Sequence, residues 1–211
     1  PIMQFHSESM EKQKFDMTPW NIAEMTNTPQ VIDIFKKYAD LRMNLMPYIY
    51  QQAIFSSRTG IPMMRAMFME YPDDARCINL TQQYMFGENI LVAPVLEEGA
   101  CSKDVYLPKG KWMNFFTGEE LDGERYIKAE ADIGQIPVYI KENSIIPLNL
   151  SKECKLFSHV GNRMNGYENL CFMLYINGDL RYEFSDEIGN TVLFEATKQE
   201  NTIYVNVESN Y

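Results

Sequence analysis

Two histidines, one pair of adjacent acids and four cysteines are the residues of this 211-residue chain best suited to chemistry. His6 stands in the phrase PIMQFHSE, where a neutral imidazole would offer one hydrogen-bond donor and one acceptor. Taken alone, it reads as a loop histidine. His159, in FSHVGNRMNG, has no partner near it in sequence and no metal-ligand pattern around it, so it reads as a solvated loop residue. Asp73 and Asp74 look like paired carboxylates, but adjacent acids at a helix start are explained by capping and by the positive end of the helix dipole. Cys77, Cys101, Cys154 and Cys171 are widely spaced, with no C-x-x-C pair and no accompanying histidines. Zinc is therefore not expected, and neither is any other metal or cofactor. Scattered reduced thiols suit a cytoplasmic protein, with two disulfides as the alternative.

Other candidates need an apolar or a buried setting. Trp20, after Thr18 and Pro19, could stack on a sugar ring or cover apolar surface, and the second reading is favoured. Trp112, Phe115 and Phe116 could form a similar platform or a core segment. Arg65 lies inside the apolar run IPMMRAMFMEY, where an unpaired charge is costly, so a carboxylate partner is expected. Met63, Met64, Met67 and Met69 read as core filling. Nucleophilic triads and phosphate-cradling glycine loops do not occur.

The elements that would position these residues change character along the chain. Eleven of the fourteen methionines lie in residues 1–85, whereas ten of the eleven glycines lie from Gly87 onward. This places a first boundary near residue 86. Thr28 and Pro29 suit a helix start, and Val31, Ile34, Phe35, Tyr38, Leu41, Leu45 and Ile49 recur at helical spacing. Pro47 should bend or split this helix, and Gly60 should end it. Ile61 to Tyr71 then suits a buried strand, and Asp73 should cap a further helix through Tyr84. Beyond Asn89 the chain reads as strand-length runs separated by turn residues such as Asn177-Gly178 and Gly189-Asn190. A weaker break falls at Asn149–Glu153. The resulting order is α/β followed by all-β.

Composition narrows the function classes. Nineteen basic against twenty-nine acidic residues give a net charge of −10, which repels nucleic-acid backbones and anionic lipid surfaces. No apolar run reaches the roughly 18 to 20 residues of a membrane span. A neutral small-molecule partner fits better, and neither nucleic acid nor membrane is expected. The opening residue Pro1 reads as the start of a segment of a longer polypeptide.

Seven phrases carry a resemblance: PIMQFHSE, TPWNIAE, YADLRMNLMPYIYQQA, GIPMMRAMFMEYPDD, QYMFGENILVAPVLEEG, DVYLPKGKWMNFFTGE and IPVYIKENSIIPL. Their order and spacing resemble the C-terminal part of glycoside hydrolase family 31, the α-glucosidase and α-xylosidase group. The likeness covers about residues 1–150; beyond them only length and pattern resemble the family's variable distal β domain. It implies the last βα units of a (β/α)8 barrel at 1–86, a proximal β-sandwich at 87–150 and a distal β domain at 151–211. In the proximal domain the phrase holding Trp112 packs inside.

The resemblance also implies retaining hydrolysis of an α-linked oligosaccharide or glycoside by two carboxylates. The family's nucleophile phrase and acid/base aspartate do not occur here, so no residue of this chain is assigned a catalytic role. His6 matches the family histidine that hydrogen-bonds the glycone sugar and is the one substrate-binding candidate. Where many members carry arginine shortly before that histidine, this chain has Gln4 and Phe5. By itself the chain should be inactive, with the missing N-terminal part of the same enzyme as its partner. A non-catalytic carbohydrate-binding or structural β module is the alternative, and a transglycosylase or lyase on the same barrel is a third reading.

Overall fold

The computed structural model describes residues 9–10, 13–14, 18–161 and 166–211. Two short strands, β1 (Ser9–Met10) and β2 (Gln13–Lys14), pair antiparallel ahead of three helices. These are α1 (Pro19–Thr26), α2 (Gln30–Asn44) and α3 (Met46–Thr59). The expected helix start near Pro29, the split at Pro47 and the stop at Gly60 all occur. Pro47 cannot donate a backbone hydrogen bond, and the helix breaks at Leu45 just before it. Gly60 closes α3 at φ 76, a conformation that costs a residue with a side chain.

The next segment departs from the pattern. The run Ile61 to Tyr71 gives only the three-residue strand β3 (Met64–Ala66), followed by the single-turn helix α4 (Met67–Glu70). Met67 is buried, but Met64, Phe68 and Met69 are exposed, so the methionine cluster fills core at only part of its length. The helix expected from Asp73 to Tyr84 is absent, and a series of turns takes its place. Asp74 does cap, but it caps a turn: its Oδ1 accepts the Arg76 N–H at 3.0 Å, and its carbonyl accepts the Cys77 N–H at 2.8 Å.

Ten further strands follow: β4 (Tyr84–Phe86), β5 (Ile90–Val92), β6 (Ser102–Leu107), β7 (Lys111–Asn114), β8 (Glu120–Asp122), β9 (Arg125–Glu130), β10 (Val138–Lys141), β11 (Ser144–Asn149), β12 (Leu170–Tyr175) and β13 (Leu180–Ser185). Strands β14 (Thr191–Gln199) and β15 (Thr202–Ser209) complete the chain. A six-stranded sheet has the order β3-β4-β5-β10-β7-β8, with two-stranded sheets β6-β9 and β11-β12 and a three-stranded sheet β13-β14-β15. Every pairing among the described residues is antiparallel. Most of this structure is therefore β-sheet, with its few helices all before Tyr71.

Alternation along the strands explains the layering. In β4, β5 and β10, Met85, Leu91 and Tyr139 lie in one cross-strand row, while Phe86, Ile90 and Ile140 lie in the next. Successive side chains point to opposite faces, so each row feeds a different core. The first packs with Val105, Leu107 and Ala129 of the β6-β9 pair, closing a sandwich. The second packs with Leu41 and Tyr48 of the helices and with Ile146 and Leu148 of β11. Strand β11 is itself buried on both faces, since Ile145 turns to a third core with Phe184 and Phe194.

Both expected domain joins fall inside sheets. Residue 86 ends β4, which pairs with β3 on one side and with β5 on the other. The break near residue 150 follows β11, which pairs with β12 across it through six residue pairs. Glycine enrichment tracks the many tight turns of the β region rather than a gap in packing.

Candidate functional site

His6, the one substrate-contact candidate, lies outside the described residues. Trp20 sits in the first turn of α1 and is 59% exposed. Met25 of α1 and Ile32 of α2 are exposed as well, and so are Met64 of β3 and Phe68 and Met69 of α4.

A polar node holds β3 to α3 and α4. Arg65 is 3% exposed, and its guanidinium reaches the Glu70 carboxylate at 2.5 Å, the Pro62 carbonyl at 2.9 Å and Gln52 Oε1 at 3.5 Å. The Phe55 ring lies 5.2 Å from its carbon centre. The expected carboxylate partner is thus Glu70, five residues on in α4, which offsets the burial of the charge. Alongside it, Tyr48 donates to the Phe86 carbonyl at 2.7 Å. Burial pushes the Tyr48 hydroxyl far above its ordinary value, so it stays a donor.

The acid pair divides its labour. Asp74 accepts from the Tyr106 hydroxyl at 2.5 Å and from the Arg76 backbone, and these hydrogen bonds, Tyr106's first, hold its carboxyl below the usual 3.8. Tyr106 is fully buried and held well above the ordinary phenol value by burial and by the same bond. A carboxylate held ionised by a fixed donor suits structure and not proton transfer. Among the described residues no three His, Cys, Asp or Glu side chains are grouped so as to hold a metal ion.

Trp112 is fully buried, and its indole N–H donates to the Pro108 carbonyl at 2.8 Å, so it is core and not platform. Phe115 is buried with it in the neighbouring core, whereas Phe116 lies at the surface and stacks on Phe157 at 5.5 Å. That stack borders a groove of about 430 Å³ with Lys37, Tyr38, Glu119 and Tyr139 on its walls. Burial pushes the Tyr139 hydroxyl up to about 12.

His159 is corrected in one respect: although 81% exposed, its Nδ1 lies 3.0 Å from Asp40 Oδ1 on α2. Sequence spacing gave no signal for this partner, which is 119 residues away. The cysteines also separate. Cys77 is buried and Cys101 exposed, while Cys154 and Cys171 bring their sulfurs to 3.9 Å. No helix among the described residues is long and apolar enough to cross a membrane.

Comparison with known proteins adds what the geometry lacks. Residues 60–146 match the family model of the glycosyl hydrolase family 31 C-terminal domain. An isomaltosyltransferase of Sporosarcina globispora is 44% identical over 194 residues, covering 91% of this chain and 18% of that protein. The cycloalternan-forming enzyme of Listeria monocytogenes, solved with a pentasaccharide substrate, superposes with a TM-score of 0.91 at 38% identity, over 97% of this chain and 20% of that one. The Flavobacterium johnsoniae GH31 dextranase complexed with glucose gives a TM-score of 0.73 at 29% identity, over 92% of this chain and 24% of its own. The chain thus spans about a fifth of the length of these relatives. It belongs to glycoside hydrolase family 31 and matches that family's C-terminal domain.

Proposed function

We propose that the whole protein acts on α-linked gluco-oligosaccharides by a retaining mechanism, with both catalytic carboxylates upstream of this chain. The observation that carries this is likeness over nearly the full chain to an isomaltosyltransferase and to a cycloalternan-forming enzyme solved with a pentasaccharide substrate, at 44% and 38% identity. In this reading α1 to α3 close the catalytic barrel and their exposed apolar face is covered by the rest of it. The barrel part then ends before Ile61, because β3 already belongs to the antiparallel sheet that follows. His6 contacts the glycone sugar through a neutral imidazole, which binds a hydroxyl without adding charge beside an oxocarbenium-like transition state. The acidic balance and dispersed cysteines fit a cytoplasmic enzyme.

Glycosyl transfer to a second sugar is a reading favoured over simple hydrolysis, because the 44%-identical relative is a transferase and the relative with TM-score 0.91 forms cycloalternan. The full-length protein incubated with a malto- or isomalto-oligosaccharide separates the outcomes by product analysis. Longer or cyclic products with retained α-configuration support transfer, and free α-configured reducing sugar alone supports hydrolysis. No turnover of any α-glucoside, with sugar binding intact, would establish the non-catalytic module instead. His6→Ala in the same protein should cut kcat/KM by roughly 10²-fold or more. An unchanged value would remove the sugar-contact role.

A further inference from the structure

We propose that Cys154 and Cys171 form a reversible dithiol–disulfide site, oxidised by a small-molecule disulfide of the glutathione class, that clamps the β11–β12 connection onto the body of the protein. Their sulfurs stand 3.9 Å apart although the residues are seventeen positions apart in sequence. A disulfide requires about 2.05 Å, so closing the bond takes an approach of roughly 1.9 Å, within reach of side-chain rotation and a small loop shift. The two cysteines are differently placed. Cys154 is exposed on the connection, at a left-handed backbone position with φ 51. Cys171 is half-buried in β12, fixed by its pairing with Leu148. Cys77 and Cys101 lie outside this pair, one buried and one exposed.

Accessibility and acidity assign the order of events. The exposed Cys154 thiolate attacks a sulfur of the oxidant, forming a mixed disulfide and releasing one glutathione thiolate. Burial raises the Cys171 thiol above its ordinary value, which suits it to the second, intramolecular step and not to the first. Its thiolate attacks the Cys154 sulfur and expels the second glutathione. The protein dithiol loses two electrons and two protons, and one glutathione disulfide becomes two thiols.

The loop so clamped is one that already ties separate parts together. Phe157 stacks on Phe116 and meets the Tyr38 ring edge-on at 6.2 Å, with Lys37 Nζ 4.9 Å from the centre of the Phe157 ring. His159 reaches Asp40, and the Ser158 carbonyl accepts from the buried Asn44 at 2.9 Å. Four residues of α2 are therefore held by a segment lying within three to five positions of Cys154. Oxidation would fix this segment at its root, restricting the conformations open to the detached loop. In an intracellular setting such bonds are characteristically transient and redox-sensing.

The test equilibrates the full-length protein with oxidised and reduced glutathione at a series of ratios, followed by alkylation and non-reducing peptide mapping. A peptide linking Cys154 to Cys171 should appear, reversible on adding reduced glutathione, while the exposed Cys101 carries at most a glutathione adduct. In Cys171→Ser the adduct should persist on Cys154, since the resolving thiol is missing. Oxidation of the unmodified protein should slow protease cleavage within 151–169 by roughly a hundredfold relative to the reduced form, and this difference should vanish in Cys154→Ser. Both thiols remaining alkylatable at ratios that modify Cys101 would overturn the proposal. So would a Cys171→Ser protein indistinguishable from the unmodified one, whose exposed Cys154 should still react if the protein is folded.

Discussion

Gly87 is the position where a single methyl group should do most damage. It lies between β4 and β5 at φ +64, and a Cβ built on it would stand 2.2 Å from the Tyr48 hydroxyl oxygen and 2.6 Å from Gln52 Cδ. Neither neighbour can retreat freely. Tyr48 is fully buried and bonded to the Phe86 carbonyl, and Gln52 is buried against the Arg65 guanidinium. Gly87→Ala therefore combines left-handed strain of about 1–2 kcal/mol with overpacking of about 1–3 kcal/mol. The sum, about 2–5 kcal/mol, should be felt locally where α3 meets β4 and β5. Hydrogen exchange of the full-length protein, followed on peptides spanning 84–92, should then speed up by at least about thirtyfold, at tenfold per 1.4 kcal/mol. Gly87→Asn separates the two causes, because asparagine tolerates positive φ but carries the same Cβ. It should shed most of the strain and keep the overpacking loss of about 1–3 kcal/mol. Adding Tyr48→Phe to Gly87→Ala removes the nearest atom and should recover part of the protection. Exchange in Gly87→Ala within threefold of the unmodified protein would refute the close-packing argument.

Two further outcomes follow from the polar nodes. Glu70→Gln leaves the Arg65 charge buried without its counter-charge and should destabilise by about 3–5 kcal/mol, read as a loss of protection in 62–70, whereas replacing both residues by apolar ones should cost far less. Tyr106→Phe should cost about 1.5–3 kcal/mol at pH 7, because it removes a hydrogen bond to an ionised Asp74. The Asp74 carboxyl is depressed below 3.8 in the folded state, so its contribution is complete above that value and is lost as the pH falls through the lower, folded one. Denaturant unfolding should therefore show the gap between Tyr106→Phe and the unmodified protein narrowing below about pH 4.

What could be read from the residues depended on whether a signal was local. The helical stripe from Val31 to Ile49 and its punctuation by Pro47 and Gly60 are set by backbone chemistry, and the structure follows them. A buried arginine demands a partner wherever it sits, and Glu70 supplies one five residues away. Adjacent aspartates, by contrast, serve a helix start and an aspartate turn equally well. Only tertiary packing of Cys77 and Leu80 into the sandwich core selects the turn. The apolar run at Ile61 to Tyr71 is ambiguous for a similar reason, since periodicity cannot tell a short buried strand from a helical segment, and the run folds as one of each. Partners distant in sequence, such as Asp40 for His159, carry no signal in a single chain. Four cysteines allow three pairings, and it is the fold that brings Cys154 to Cys171. His6 rests on phrase likeness alone, and no local rule could have distinguished it from an ordinary loop residue.

The strand order of the central sheet also governs how the chain can be made. β10 inserts between β5 and β7, so the open side of β5 has no partner until residue 141 has been synthesised. From Val92 to Lys141 the ribosome must add 49 residues (141 − 92), about 2–10 s at roughly 5–20 residues per second. During that interval an apolar edge strand is presented to its surroundings, and β11, buried on both faces, waits in turn through the 21 residues from Asn149 to Leu170 for β12. Yield on overproduction should therefore depend on whatever shields nascent β5, and slowing of translation between residues 92 and 141 would lengthen the hazard.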